Sequence, residues 1–430
     1  MHVTLNSKEN AFLPVFTEQL AVVKQGDLWV LKGDKEPLRL TSDGCNCSPA
    51  WSPDGKWLLF YKYDPAEKWN RDYSLWVARA DGTGVYSIDP ETQILDARWS
   101  PAANSIAYLT ARQDERQRST GFKLVQVSGE GPGDPLSLKD ESEKIMNFRW
   151  FPTGEKLVYT TADPNPNAKD NPIVKVMPAG GGDAEILLSS VEKDYLPDTD
   201  PRPALSSYLG GLKFSPNKND LSFFKYPFSA SLTADGVYLY ADSLDKQEPR
   251  RLATMLAYPY WVDWSPGGDL LAFIEGSGRE AFTNKRLSIM PVNRPDQVLT
   301  VTPEGYIDRD PAWSPDGKHI AVSRAKSSQG IVNQREELPP ASIWLMNPDG
   351  SGAKQISSDS EIPGCFDYNP WWAEGGKSLM WVRIQGEKAS IWRAEPDGGD
   401  QGLIYEDPDI PQGYYGANNW KVVMAWCVHK

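Results

Sequence analysis

One phrase, repeated, constrains this chain more than anything else in it. Pro49-Ala50-Trp51-Ser52-Pro53-Asp54-Gly55-Lys56 returns as Pro311-Ala312-Trp313-Ser314-Pro315-Asp316-Gly317-Lys318. Weaker copies are centred on Trp99, Trp150, Phe214, Trp264 and Trp372, and the chain closes on Val423-Met424-Ala425-Trp426. Successive anchors lie 48, 51, 64, 50, 49, 59 and 54 residues apart. A period of that size belongs to propellers and arrays. A second phrase marks the gaps, at Leu28-Trp29-Val30, Leu75-Trp76-Val77, Ile343-Trp344 and Ile391-Trp392 among others.

Each unit reads as four short strands. In the second, Pro49–Ser52 leads into the turn Ser52-Pro53-Asp54-Gly55, and Trp57–Tyr61, Ser74–Ala78 and Gly84–Ile88 follow. Proline presets φ at such a turn and Asp-Gly tolerates positive φ. Four strands per unit of this length fit an all-β propeller blade. The N-terminal segments Leu20–Lys24, Gly26–Lys32 and Pro37–Leu40 lack a Trp-Ser-Pro strand ahead of them, and Val422–Trp426 is such a strand with nothing after it. Joining them completes a blade. The expected fold is therefore an eight-bladed propeller over residues 19–430, closed by exchange of terminal strands, with residues 1–18 as an extension. Seven blades is the alternative.

Bulk properties exclude several roles. A net charge of −13 is unsuited to phosphate backbones, and no apolar run is long enough to span a bilayer. Met1–Asn10 lacks a basic region followed by an apolar one, so either the protein is cytosolic or a leader has been removed. Histidines number three, His2, His319 and His429, too few and too scattered for a nucleophilic triad or a histidine metal site. No metal or organic cofactor is expected.

The Trp-Ser-Pro-Asp-Gly-Lys phrase, followed by an apolar strand, an Ile-Trp-Leu-Met strand and Asp-Gly-Ser-Gly, resembles the TolB-type propeller repeat over residues 20–426. The resemblance implies the fold and an extracytoplasmic location, in the bacterial envelope or secreted. It does not carry one function, because the repeat serves unrelated proteins. TolB-type propellers have six blades after a separate domain, whereas dipeptidyl-peptidase-like enzymes carry eight before a hydrolase. The segment after the closing strand is too short for that hydrolase.

Chain direction places the long loops, including 62–73, 112–121, 163–171, 276–285, 325–341 and 189–211, on one face, the usual binding side of a repeat array. Polar residues recur just before the anchors there, at Asp96, Asn147, Asp308, Asp310, Asp367 and Asn369. Aromatic residues accompany them at Tyr258, Tyr260, Trp261, Tyr306, Tyr368, Trp371, Tyr414 and Tyr415, with Asp263 beside them and Trp69 in a charged loop. These groups either form a pocket mouth or simply hydrogen-bond the blade entrances. Most tryptophans are expected to fill blades.

The leading expectation is a non-enzymatic scaffold that presents this face to a protein or peptide, with partner contacts at Tyr258–Asp263, Tyr306–Asp310 and Asp367–Trp371. The rival is a carboxylate-dependent glycan hydrolase or lyase at the same rim, which would make carbohydrate the ligand. A third reading is a self-assembling structural subunit. Among the cysteines, Cys45, Cys47, Cys365 and Cys427, a disulfide between Cys365 and Cys47 (or Cys45) would clamp the seal, provided the Cα atoms approach within about 7 Å.

Overall fold

The computed structural model describes residues 18–427 except 34, 65–71, 91, 112–118, 141, 163–171, 190, 192–194, 196–204, 329–338, 358–363, 412 and 414–415. The expected extension before Glu18, His2, His429, Trp69, Tyr414, Tyr415 and much of the long loops lie outside the described residues.

The described residues form a nearly all-β structure, arranged as a propeller of small antiparallel sheets that follow one another in sequence. The first sheet comprises Gln19–Lys24, Asp27–Lys32 and Leu38–Arg39, and its inner edge is supplied by Met424–Cys427. The second runs from Asn46 to Ile88, the third from Gln93 to Asp140, the fourth from Ile145 to Leu188, the fifth from Ser207 to Met255 and the sixth from Val262 to Thr300. Two further ladders, 306–355 and 365–406, are linked into one sheet through a single parallel bridge, Ala341 to Phe366. The one α-helix described, Ala230–Asp235, is a single connection in the fifth sheet.

The terminal strands pair as the sequence predicts. Leu20 faces Trp426 and Val22 faces Met424 in antiparallel register. The preceding sheet reinforces this seal, because Asp409 accepts from the amides of Gln25 and Gly26 at 2.7 and 2.8 Å.

The repeated phrase builds a turn that satisfies itself. The Ser52 hydroxyl donates to Asp54 Oδ1 at 2.7 Å and accepts from the Trp57 amide at 3.0 Å. Ser314 repeats the pattern with Asp316 and His319, at 2.6 and 2.9 Å. Asn217 takes the acid's place beside Ser215, at 2.6 Å.

The anchor tryptophans do more than fill space. Six of the seven anchor indoles, all but that of Trp426, donate to the carbonyl just before the anchor of the neighbouring sheet: Trp51 to Ala425, Trp99 to Ala50, Trp150 to Arg98, Trp264 to Lys213, Trp313 to Asp263 and Trp372 to Ala312, at 2.9–3.2 Å. Phe214 has no donor and interrupts the series. These bonds hold adjacent sheets together around a central channel.

The expected disulfide is absent, and the four cysteines are thiols. Cys47 lies within the innermost strand Asn46–Trp51, whose Trp51 is bonded to Ala425 of the terminal strand. Cys365 opens the strand Cys365–Ala373, on the other side of the first sheet, where Trp371 meets Trp426. A complete sheet intervenes, and packed sheets are separated by about 10 Å.

Candidate functional site

The strands nearest the axis set the site. In four of them a bulge precedes the anchor, with one residue in the left-handed region: Ser48 (φ 53°), Gly211 (φ 62°), Asp310 (φ 53°) and Asn369 (φ 50°). Asn, Asp and Gly tolerate that conformation better than other residues. The polar residue before the anchor, read in the sequence as a ligand contact, is therefore partly a backbone requirement.

Asp308 and Asp367 are fully buried. Arg324 grips Asp308 with two bonds of 2.7 and 2.8 Å, and Thr302 donates to the same carboxylate at 2.6 Å. Arg383 grips Asp367 likewise, at 2.7 and 2.9 Å. Each guanidinium lies over a third-strand indole, Trp344 or Trp392, at 5.4 and 4.7 Å from the ring centroid. In the second sheet Lys62 holds the corresponding place over Trp76, at 4.0 Å. The two carboxylates are thus engaged within their own sheets, which leaves neither pointing at a ligand as a catalytic acid would.

Other predicted residues come together. Tyr258 stacks on Tyr260 with centroids 5.4 Å apart and meets Trp261 edge-on at 4.9 Å. Trp261 is buried and its indole donates to Asp310 Oδ1 at 2.7 Å, while the Asn369 amide donates to Asp310 Oδ2 at 3.2 Å. Burial pushes the Asp310 carboxyl up, against the pull of Arg309. Arg309 lies over Phe282 and Tyr368, at 4.0 and 4.9 Å, and donates to the Gly416 carbonyl at 3.1 Å. This cluster braces the mouth of the channel. Tyr306 stands apart, exposed at the start of its strand.

The channel itself is a cavity of about 890 Å³. Of the predicted residues, Tyr260, Asp263, Asn369 and Trp371 reach it. Asp96 also lines it, accepting from Arg98 at 3.0 Å, and burial raises its pKa despite that partner. Lys213 donates to Asp263 at 2.8 Å and to the Val262 carbonyl at 2.7 Å.

The cations were missed at the sequence level, yet a signal for them exists. The residue immediately before each anchor aromatic turns to the axis: Ala50, Arg98, Lys213, Asp263, Ala312, Trp371 and Ala425 all line the cavity. Arg149, in the same position of the fourth sheet, reaches Asp96 at 4.0 Å. Reading that one column of the repeat gives the channel's polarity.

No family model matches the chain, and no curated protein matches it. Among solved structures, a putative TolB from Agrobacterium tumefaciens aligns over 91% of this chain and 89% of its own at 12% identity, with a TM-score of 0.33. TolB from Acinetobacter baumannii aligns over 87% and 84% at 13% identity, TM-score 0.36. A puromycin hydrolase S511A mutant complexed with PGG aligns over 85% of this chain at 11% identity, TM-score 0.48. The chain spans 55% of that hydrolase's length.

Proposed function

We propose that this chain is a binding scaffold, an eight-bladed propeller over residues 19–430 that presents one face and its channel mouth to a protein or peptide partner outside the cytoplasm. The count of eight rests on the six successive sheets plus the two ladders joined by the Ala341–Phe366 bridge. The observation that carries the binding role is the channel, which brings Tyr260 and Asp263 of the sixth sheet and Asn369 and Trp371 of the last ladder into one cavity. Exposed Tyr306 stands at the rim on the strand that carries Asp310, and Tyr258 and Tyr368 brace the mouth. Rigid aromatic residues beside a concave surface are suited to anchor a partner segment. Among the described residues, no helix is long and apolar enough to cross a membrane. The carboxylate-hydrolase reading finds no support in the engaged pairs Asp308–Arg324 and Asp367–Arg383.

The test is selection of binders from a displayed random peptide library against the intact chain. Trp371→Ala and Tyr306→Ala should each weaken selected peptides by about tenfold, the usual cost of a buried aromatic anchor. Peptides indifferent to both substitutions, or a library that yields no binder, would refute the docking reading.

A further inference from the structure

The channel's charges do not cancel. Two ion pairs line it, Arg98 with Asp96 at 2.8 Å and Lys213 with Asp263 at 2.8 Å. Lys421 is a fifth charged side chain on the same cavity. It is exposed to the channel, and among the described residues it forms neither an ion pair nor a hydrogen bond. The wall is also sided. The axis-facing positions of the third and fifth sheets carry Arg98 and Lys213, whereas those of the last ladder, the terminal strand and the second sheet carry Trp371, Ala425 and Ala50. On the second arc, Trp371 turns its ring to the cavity, while its buried indole N–H has no hydrogen-bond partner among the described residues. At the entry to the sixth sheet, burial and the neighbouring Asp310 keep the Tyr260 hydroxyl protonated. A chain with a net charge of −13 therefore keeps a surplus cation inside a channel whose wall is partly aromatic.

We infer that the channel is a binding site for a small organic carboxylate, with its charged head at Lys421 and its apolar body against Trp371. The inference goes beyond the docking reading, because it needs no macromolecular partner. A charge-assisted bond in a confined channel is stronger than one in open water, and the aromatic arc prefers an organic body to a bare inorganic ion. Desolvation by the channel walls around it, with Lys213 and Arg98 nearby, brings the Lys421 ammonium down to about 8, and Asp263 opposes that fall. An anion bound there favours the charged form. Binding should therefore take up protons near pH 8 and weaken as the pH rises to 9.

Isothermal titration of the intact chain with phenylacetate, phenethylammonium and inorganic phosphate tests this. Phenylacetate should saturate one site and phenethylammonium should not bind. Lys421→Met, which relieves like-charge repulsion and so should fold, is expected to weaken phenylacetate by about tenfold, the worth of one hydrogen bond to a charged group. Lys421→Arg should retain binding and abolish its fall between pH 7 and 9. Equal binding of both aromatic probes would reveal a mere aromatic slot. Phosphate binding without phenylacetate would reveal an inorganic anion site. Absence of phenylacetate binding, or indifference to Lys421→Met, would likewise overturn the inference.

Discussion

Asp367 shows how a residue that reads as functional can be wholly occupied by structure. Its carboxylate holds Arg383 inside the sheet, and removing one member of a buried pair leaves the other uncompensated. Asp367→Ala should therefore cost about 3–5 kcal/mol in urea unfolding. Asp242 presents the opposite case. It is buried, its carboxylate has no well-formed hydrogen bond, and burial lifts it from 3.8 to about 6. The folded state then binds a proton that the unfolded state gives up. That contribution to stability is complete below 3.8 and is lost as the pH rises through about 6. Asp242→Asn should consequently raise stability at pH 8 by about 2 kcal/mol and leave it unchanged at pH 3. Thermal melts at the two pH values would show whether the difference follows ionisation; a constant difference would point to packing instead.

At the scale of the element, the two classes of tryptophan part company. Anchor indoles bond across to the next sheet, whereas Trp344 and Trp392 lie beneath guanidinium groups of their own sheets. Trp313→Phe removes a donor and leaves the Asp263 carbonyl without it, a loss of about 1–3 kcal/mol. Trp344→Phe keeps a ring under Arg324 and should cost less, about 1 kcal/mol. Chemical denaturation of the two variants side by side would separate stapling from filling. Strand existence and turn chemistry were legible in the residues, since Trp57–Tyr61 and Ser74–Ala78 fall inside the observed strands Trp57–Tyr63 and Tyr73–Arg79. The indole bonds were not legible, because Trp313 and its acceptor Asp263 sit one repeat apart and meet only when sheets pack.

For the whole molecule, the terminal strand is the decisive contact. Met424–Cys427 covers the inner edge of Gln19–Lys24 and supplies the carbonyl that receives Trp51. Deleting residues 424–430 exposes a strand edge and releases two neighbouring sheets at once. The melting temperature should fall by at least about 10 °C, more than a single-site loss produces in a domain of this size, and light scattering should report self-association. A truncated chain that melts like the full one would show that closure does not depend on this strand.

The repeat, its four-strand content and the return of the last strand to the first were determined by the sequence alone. They follow from periodicity and from turn residues, which act over a few positions. What only the tertiary structure decided is which polar groups remain available. Asp308 and Asp310 lie two residues apart, yet one is held by Arg324 across its own sheet and the other by Trp261 from the neighbouring sheet. Lys421 bears the channel's surplus charge without belonging to any motif. A side chain's chemistry is set by its partners in space, and in a closed array of sheets those partners come from other repeats.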